Sequence, residues 1–148
     1  MESIKGIVLH TYKYSETSVI SKIYTIEFGL QSYVFKGIRN KKSKNKLNLL
    51  QSLNIVDLEV TNDKKRSVQY VKEIQNNTDL SLLFSDMNKR FLSLFISEIL
   101  LKVLVGSEKD NSLFKFIENT VLSLNSSEYL SKGFSLVFLI KLSSYLGF

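Results

Sequence analysis

With 148 residues and no cysteine, the chain is long enough to bury a core without disulfides, which suits a reducing cytosol and excludes a cysteine-ligated zinc site. Its formal net charge of +6 comes entirely from residues 1–75, where thirteen Lys and Arg face seven Asp and Glu, because residues 76–148 contain seven of each. Such an excess attracts polyanions, either nucleic acid or an anionic membrane surface, more readily than a metabolite. The first ten residues do not resemble a secretion signal, and we expect a cytoplasmic protein.

The first half of the chain predicts five β-strands. Its short segments are rich in β-branched and aromatic residues and are separated by turn residues, among them Gly29, which is placed where a hairpin needs a positive φ. Five strands in so short a stretch bury one face best by closing into a small barrel of the oligonucleotide-binding (OB) type. The predicted strands are residues 6–12, 18–26, 30–38, 53–60 and 67–74.

After residue 76 the apolar spacing changes from two to three and four, which predicts helices. The first is predicted from Leu80 to Val105, capped by Thr78 or Asp79. From Phe91 to Val105 it is apolar on most sides, which predicts the central helix of its domain. Two more are predicted, at residues 112–124 and at 127–145 with Gly133 inside the last one. The predicted fold class is therefore α+β, with an OB barrel over residues 1–76 and a helical domain over residues 77–148.

No catalytic or cofactor site is evident in the sequence. The single histidine, His10, lies in a predicted strand, and no glycine motif that would cradle a nucleotide is present. Asp57 and Glu59 share a strand face, which we interpret as a solvent-facing polar stripe in preference to a magnesium site. Glu98 falls among apolar residues, and burial with a partner is favoured over a contact site. We expect a protein that is not an enzyme and that binds no zinc and no nucleotide cofactor.

The segment KGIRNKKSKNK, residues 36–46, carries six basic side chains and no acidic one, and we call it the basic segment. It could be a solvated loop, a membrane-surface patch or a phosphate-contacting loop. A membrane patch usually has an amphipathic helix or a lipid signal beside it, and neither adjoins here. The adjacent barrel favours phosphate contacts, with strand aromatics as stacking platforms for bases. The predicted phosphate contacts are Lys36, Arg39, Lys41, Lys42, Lys44 and Lys46. The aromatic candidates are Tyr12, Tyr14, Tyr24, Tyr33, Phe35 and Tyr70, of which several must form the barrel core.

Four fragments in this order and spacing, KYSETSVI (13–20), YTIEFG (24–29), VFKGIRNKKSK (34–44) and LLQSLNIVDLEV (49–60), resemble the amino-terminal domain of the RecO family of bacterial recombination mediators. The resemblance continues through FLSLFISEILLKVL (91–104) and ends at YLGF (145–148). RecO proteins typically continue past that point, so the helical half is expected to match only part of their helical domain. The cysteine zinc site of many members is not carried over.

The resemblance implies a nucleoid-associated protein of DNA repair and recombination that binds single-stranded and double-stranded DNA and anneals complementary strands. It further implies that the protein works with RecR and helps to replace single-strand binding protein with RecA, the helical half docking the C-terminal tail of single-strand binding protein. RecA would be an indirect partner, and no membrane is implied. Two alternatives stay open on the residues alone: a non-catalytic protein-interaction module with an incidental basic segment, and an RNA-binding OB protein.

Overall fold

The computed structural model describes residues 2–127 and 132–148, without the side chains of Glu2 and Lys44. The chain begins with three strands, β1 (Glu2–Lys13), β2 (Val19–Thr25) and β3 (Gly29–Phe35). A connection with two 3₁₀ turns and the short helix α1 (Lys44–Leu47) leads to β4 (Ile55–Val60) and β5 (Val68–Asn76). The helices α2 (Ser81–Ser85), α3 (Met87–Val103), α4 (Asn111–Ser126) and α5 (Phe134–Tyr145) follow.

The five strands form a closed barrel in the order β1-β2-β3-β5-β4. Neighbouring strands are antiparallel except β3 and β5, which run parallel. This is the strand count and arrangement of an OB barrel, and the prediction of a five-stranded barrel followed by helices is confirmed. Gly29 has a φ of +71°, as the predicted β2–β3 hairpin requires.

Two apolar clusters hold the protein together. The first fills the barrel and includes Val8, Ile23, Tyr33, Val56 and Leu58. The second lies outside the barrel, where Ile7, Leu9 and Tyr24 pack against α3, α4 and α5. Because this second cluster draws on strands and helices alike, the division into domains at residue 76 stays a prediction.

The helical half differs from its prediction in two places. The helix predicted over residues 80–105 is two helices, because Asp86 adopts an extended conformation and its side chain accepts a hydrogen bond from the Lys89 N–H as the cap of α3. Gly133 was predicted inside the last helix but is the residue before α5 begins. The start of that predicted helix falls on residues 128–131, outside the described residues.

The interpretation of α3 as a central helix and of Glu98 as a buried side chain was wrong. Phe91, Leu94 and Phe95 leave an apolar face of α3 exposed, and Glu98 lies on the same side, 3.3 Å from the Lys102 ammonium. A surface pair four residues apart explains a carboxylate in this apolar run without burial. None of the described helices has the length and apolar character needed to cross a membrane.

Tyr24 gives the contact between barrel and helices a pH dependence. Its buried ring stacks on Phe114 of α4 at 5.9 Å between centroids, and burial, with a smaller contribution from Asp110, raises the pKa of Tyr24 to about 12. Burial shifts the pKa of Tyr33 in the same direction. A raised pKa means that the folded state holds the phenolic proton more tightly than the unfolded state does, so this stability is present below pH 10 and is lost as the pH rises towards 12.

We therefore expect the wild type to lose on the order of 2 kcal/mol between pH 10 and pH 12 through Tyr24, and Tyr24→Phe to lose less over the same range. Urea unfolding at several alkaline pH values measures the difference. Tyr12→Phe is the matched control, because Tyr12 is exposed. Identical pH profiles for wild type and Tyr24→Phe would contradict the expectation.

Candidate nucleic-acid interface

The basic segment is anchored at one point and exposed along most of its length. Ile38 inserts into the barrel cluster and leaves only 4 % of its surface exposed. Lys41 and Lys42 lie in the first 3₁₀ turn, both exposed and without an ion pair in the described part of the chain. The Lys44 side chain lies outside the described residues. Two ammonium groups therefore face solvent free of counter-charges, as phosphate contacts require.

The other three basic side chains of the segment have partners. The Lys36 ammonium lies 4.5 Å from the centre of the Tyr70 ring, a cation–π contact. The Arg39 guanidinium donates a 2.9 Å hydrogen bond to the Ser15 carbonyl in the β1–β2 loop. Lys46 donates a 2.5 Å hydrogen bond to Glu73, which holds the pKa of that carboxyl below its usual range. The six predicted contacts are thus not equivalent, and Lys46 is partly neutralised.

The β4–β5 loop adds positive charge that sequence reasoning missed. Residues 61–66 connect the predicted strands 53–60 and 67–74, and none of them is among the predicted phosphate contacts. In the structure the Arg66 guanidinium lies 5.1 Å from the Tyr70 ring, so Arg66 and Lys36 both contact one aromatic side chain. Lys64 and Lys65 beside it are exposed. Tyr70 therefore joins the basic segment and the β4–β5 loop into one positively charged surface.

Strand register places a row of side chains across the outside of the barrel. Tyr12 of β1 pairs with Ile20 of β2, Ile20 pairs with Val34 of β3, and Val34 pairs with Tyr70 of β5. We call these four residues the aromatic row, after the tyrosines at its two ends. Its two ends, Tyr12 and Tyr70, are about 40 % exposed, so two tyrosine rings stand on one face of the sheet.

The structure divides the aromatic candidates into surface and core. Tyr12, Tyr14 and Tyr70 are exposed, whereas Tyr24, Tyr33 and Phe35 are buried. The next row towards the helices pairs His10 with Lys22 and Lys22 with Ser32, and it adds a further basic side chain. Exposed rings between basic side chains are the arrangement that single-stranded nucleic acid uses for stacking and phosphate neutralisation.

A different face of the barrel is acidic. Asp57 and Glu59 of β4 lie beside Glu73 and Gln75 of β5 in a shallow depression of about 200 Å³. Asp57 accepts two 3.1 Å hydrogen bonds from the Asn77 amide, and among the described residues no group of three or more possible ligands is arranged to hold a metal ion. This face repels a polyanion, which favours the aromatic row and the basic loops as the binding side.

OB barrels bind their ligands on the outer face of strands 2 and 3, between the β1–β2 and β4–β5 loops. Arg39 of the basic segment contacts the β1–β2 loop. Lys36 of the same segment contacts the Tyr70 ring, which Arg66 of the β4–β5 loop also contacts. The basic segment therefore lies between these two loops. The fold and this surface together place the protein in the class of OB-type proteins that have a basic, aromatic outer face.

Comparison with known proteins gives the family. The model of the recombination protein O N-terminal domain matches residues 1–77, and that of its C-terminal domain matches residues 85–148. Proteins named DNA repair protein RecO are similar over nearly the whole chain, with 32 % identity over 97 % of it in Flavobacterium psychrophilum and 31 % over 99 % in Phocaeicola vulgatus. The chain belongs to the RecO family. It spans 60 % and 61 %, respectively, of the length of these two relatives.

Proposed function

We propose that this RecO-family chain is a non-catalytic DNA-binding protein of recombinational repair, which holds DNA strands on the aromatic row and the basic loops beside it. The observation that carries the proposal is the Tyr70 contact, where Lys36 and Arg66 bring two basic loops to one exposed ring. Exposed Lys41 and Lys42 extend this surface. Rings supply stacking for unpaired bases, and ammonium and guanidinium groups neutralise phosphates.

The mechanism is electrostatic. Two complementary strands repel each other through their phosphates, and a surface that neutralises several phosphates lowers this repulsion while exposed bases are still free to pair. Contacts of this kind carry no base information, so strands of any sequence are accepted. Annealing of complementary strands therefore needs no catalytic group, only a basic surface that holds them side by side.

Membership of the RecO family supports protein partners as well as DNA. We propose that the protein works with RecR and with single-strand binding protein and so assists the loading of RecA. A groove of about 650 Å³ between α4 and α5, lined by Lys115, Phe116, Lys141 and Tyr145 among others, supports docking of a tail with acidic and apolar side chains. Salt-dependent DNA binding would separate this function from that of an interaction module, and competition with RNA would separate it from RNA binding.

The test of the proposed function is the replacement of Lys41, Lys42 and Lys44 together by Ala. Each phosphate neutralised on a single strand contributes about −0.7 to the slope of log affinity against log salt, so we expect the slope to flatten by roughly 2 units. Affinity should fall equally for all DNA sequences, since phosphate contacts do not read bases. Fluorescence anisotropy with labelled single-stranded DNA across a salt series measures both.

The matched control replaces Lys102, Lys109 and Lys132 by Ala, because these exposed lysines of the helical half lie outside the α4–α5 groove and give the same change in net charge. Substitutions of exposed charges typically cost about 0.5 kcal/mol or less each, and circular dichroism checks that both variants remain folded. If the Lys41, Lys42 and Lys44 variant keeps the wild-type slope and affinity, or if the control loses as much, the basic segment is only a solvated surface.

A further inference from the structure

A second groove, of about 340 Å³, lies where the barrel meets α3. This volume falls within the range of roughly 300 to 1,000 Å³ that is usual for ligand clefts. One wall comes from β1 and the connection before β4, and the other comes from α2 and α3. His10, Arg90 and Leu94 are among the nine residues that line the groove, and none of the nine is acidic.

The groove is continuous with the aromatic row. The exposed His10 ring lines the groove and stacks on Tyr12, the β1 member of the row, with 5.9 Å between centroids and 29° between planes. The helices cover the opposite end of this outer face, where Tyr24 and Leu30 pack into the second cluster. His10 therefore stands between the exposed Tyr12 ring and α3.

The α3 wall presents the groups that a nucleotide needs. Arg90 is exposed, and within the described residues its guanidinium forms no ion pair. Leu94 beside it is 55 % exposed and offers an apolar surface. A guanidinium matches a phosphate by geometry and charge, and a planar imidazole or an apolar side chain can pack against the face of a base.

We propose that a single strand leaving the aromatic row continues into this groove, with a base packed between His10 and Leu94 and a phosphate held by Arg90. The inference rests on the proposed function and extends its site from the barrel onto α3. The occupant is a single strand because the bases of a duplex are already stacked on one another and cannot stack on His10. Absence of acidic side chains and continuity with the row favour nucleic acid over a peptide.

The test compares His10→Ala, Arg90→Ala and the control Lys102→Ala, binding oligo-dT and a duplex across a salt series. Lys102 lies on the same helix outside the groove, and its loss changes the net charge as Arg90→Ala does. We expect His10→Ala to lower the ratio of single-strand to duplex affinity about fivefold or more, as loss of a stacking side chain does. We expect Arg90→Ala to flatten the single-strand slope by about 0.7, and Lys102→Ala to leave it unchanged.

A second measurement does not depend on affinity. Photoreactive p-benzoylphenylalanine in place of Leu94 is expected to crosslink to oligo-dT, whereas the same group in place of Val103, outside the groove on α3, is not. No crosslink at Leu94, together with wild-type binding by His10→Ala and Arg90→Ala, would overturn the inference and leave the groove to a protein partner. If the Lys41, Lys42 and Lys44 variant still loses affinity in that case, only the inference fails. If the wild type binds no DNA, the proposed function fails with it.

Discussion

Gly29→Ala is expected to destabilise the protein by about 2–5 kcal/mol. Gly29 adopts a φ of +71°, which costs a residue with a side chain roughly 1–2 kcal/mol. A Cβ at this position would also meet the backbone between α3 and α4, at 2.9 Å from the Glu108 carbonyl carbon and closer still to the Ser107 carbonyl oxygen. Forced overlap with well-packed atoms typically costs about 1–3 kcal/mol more.

The control for Gly29→Ala is Gly106→Ala. Gly106 has nearly the same conformation, with a φ of +74°, but a Cβ there has no heavy atom within 4 Å. This variant therefore isolates the conformational cost, and the difference between the two measures the contact of the β2–β3 hairpin with the α3–α4 connection. Urea unfolding followed by circular dichroism gives both values. Equal destabilisation by the two substitutions would show that the close approach contributes nothing.

The strands could be predicted because strand-forming residues and turn residues are recognisable within short stretches of sequence. Whether the side chains of the site residues on β1 face the core or solvent could not be predicted. Ile4 and Val8 face the barrel interior, and unbroken alternation would turn His10 and Tyr12 inward as well. A β-bulge between Val8 and His10 shifts the register by one residue and turns both rings outward. Nothing in the residue pattern of β1 marks the bulge, so core and surface aromatics could not be separated from the sequence.

The second half of the candidate site depends on contacts between distant segments. Lys64, Lys65 and Arg66 form a basic run that is visible in the sequence. Its place beside the basic segment depends on the parallel pairing of β3 with β5, which brings Tyr70 next to the end of β3 and within reach of Lys36. The basic segment could be found because its charges are close together in the sequence. The β4–β5 loop was missed because the strand pairing that brings it beside the basic segment joins residues far apart in the sequence.

Lys89→Met is expected to destabilise the protein by about 2–3 kcal/mol. Lys89 is buried on α3, and its ammonium donates hydrogen bonds of 3.1 Å to the Asn125 carbonyl and 2.6 Å to the Ser127 carbonyl, at the end of α4. The last carbonyls of a helix have no partner within the helix, and a cation there also interacts favourably with the helix dipole. Methionine keeps most of the apolar packing of Lys89 but leaves both carbonyls without this donor. Charge-assisted hydrogen bonds contribute roughly 1.5–3 kcal/mol each, and the substitution regains part of this sum because it removes the desolvation cost of a buried ammonium.

Lys102→Met is the matched control on the same helix, because the Lys102 ammonium forms only an exposed pair with Glu98 at 3.3 Å. Such a pair contributes about 0.5 kcal/mol or less. Urea unfolding compares the two variants, and hydrogen exchange should show faster exchange in the last turn of α4 for Lys89→Met alone, since that turn loses its cap while α3 keeps its own hydrogen bonds. Unchanged stability and unchanged exchange in Lys89→Met would mean that solvent satisfies the α4 carbonyls as well as Lys89 does, and that packing of apolar side chains alone holds α3 against α4.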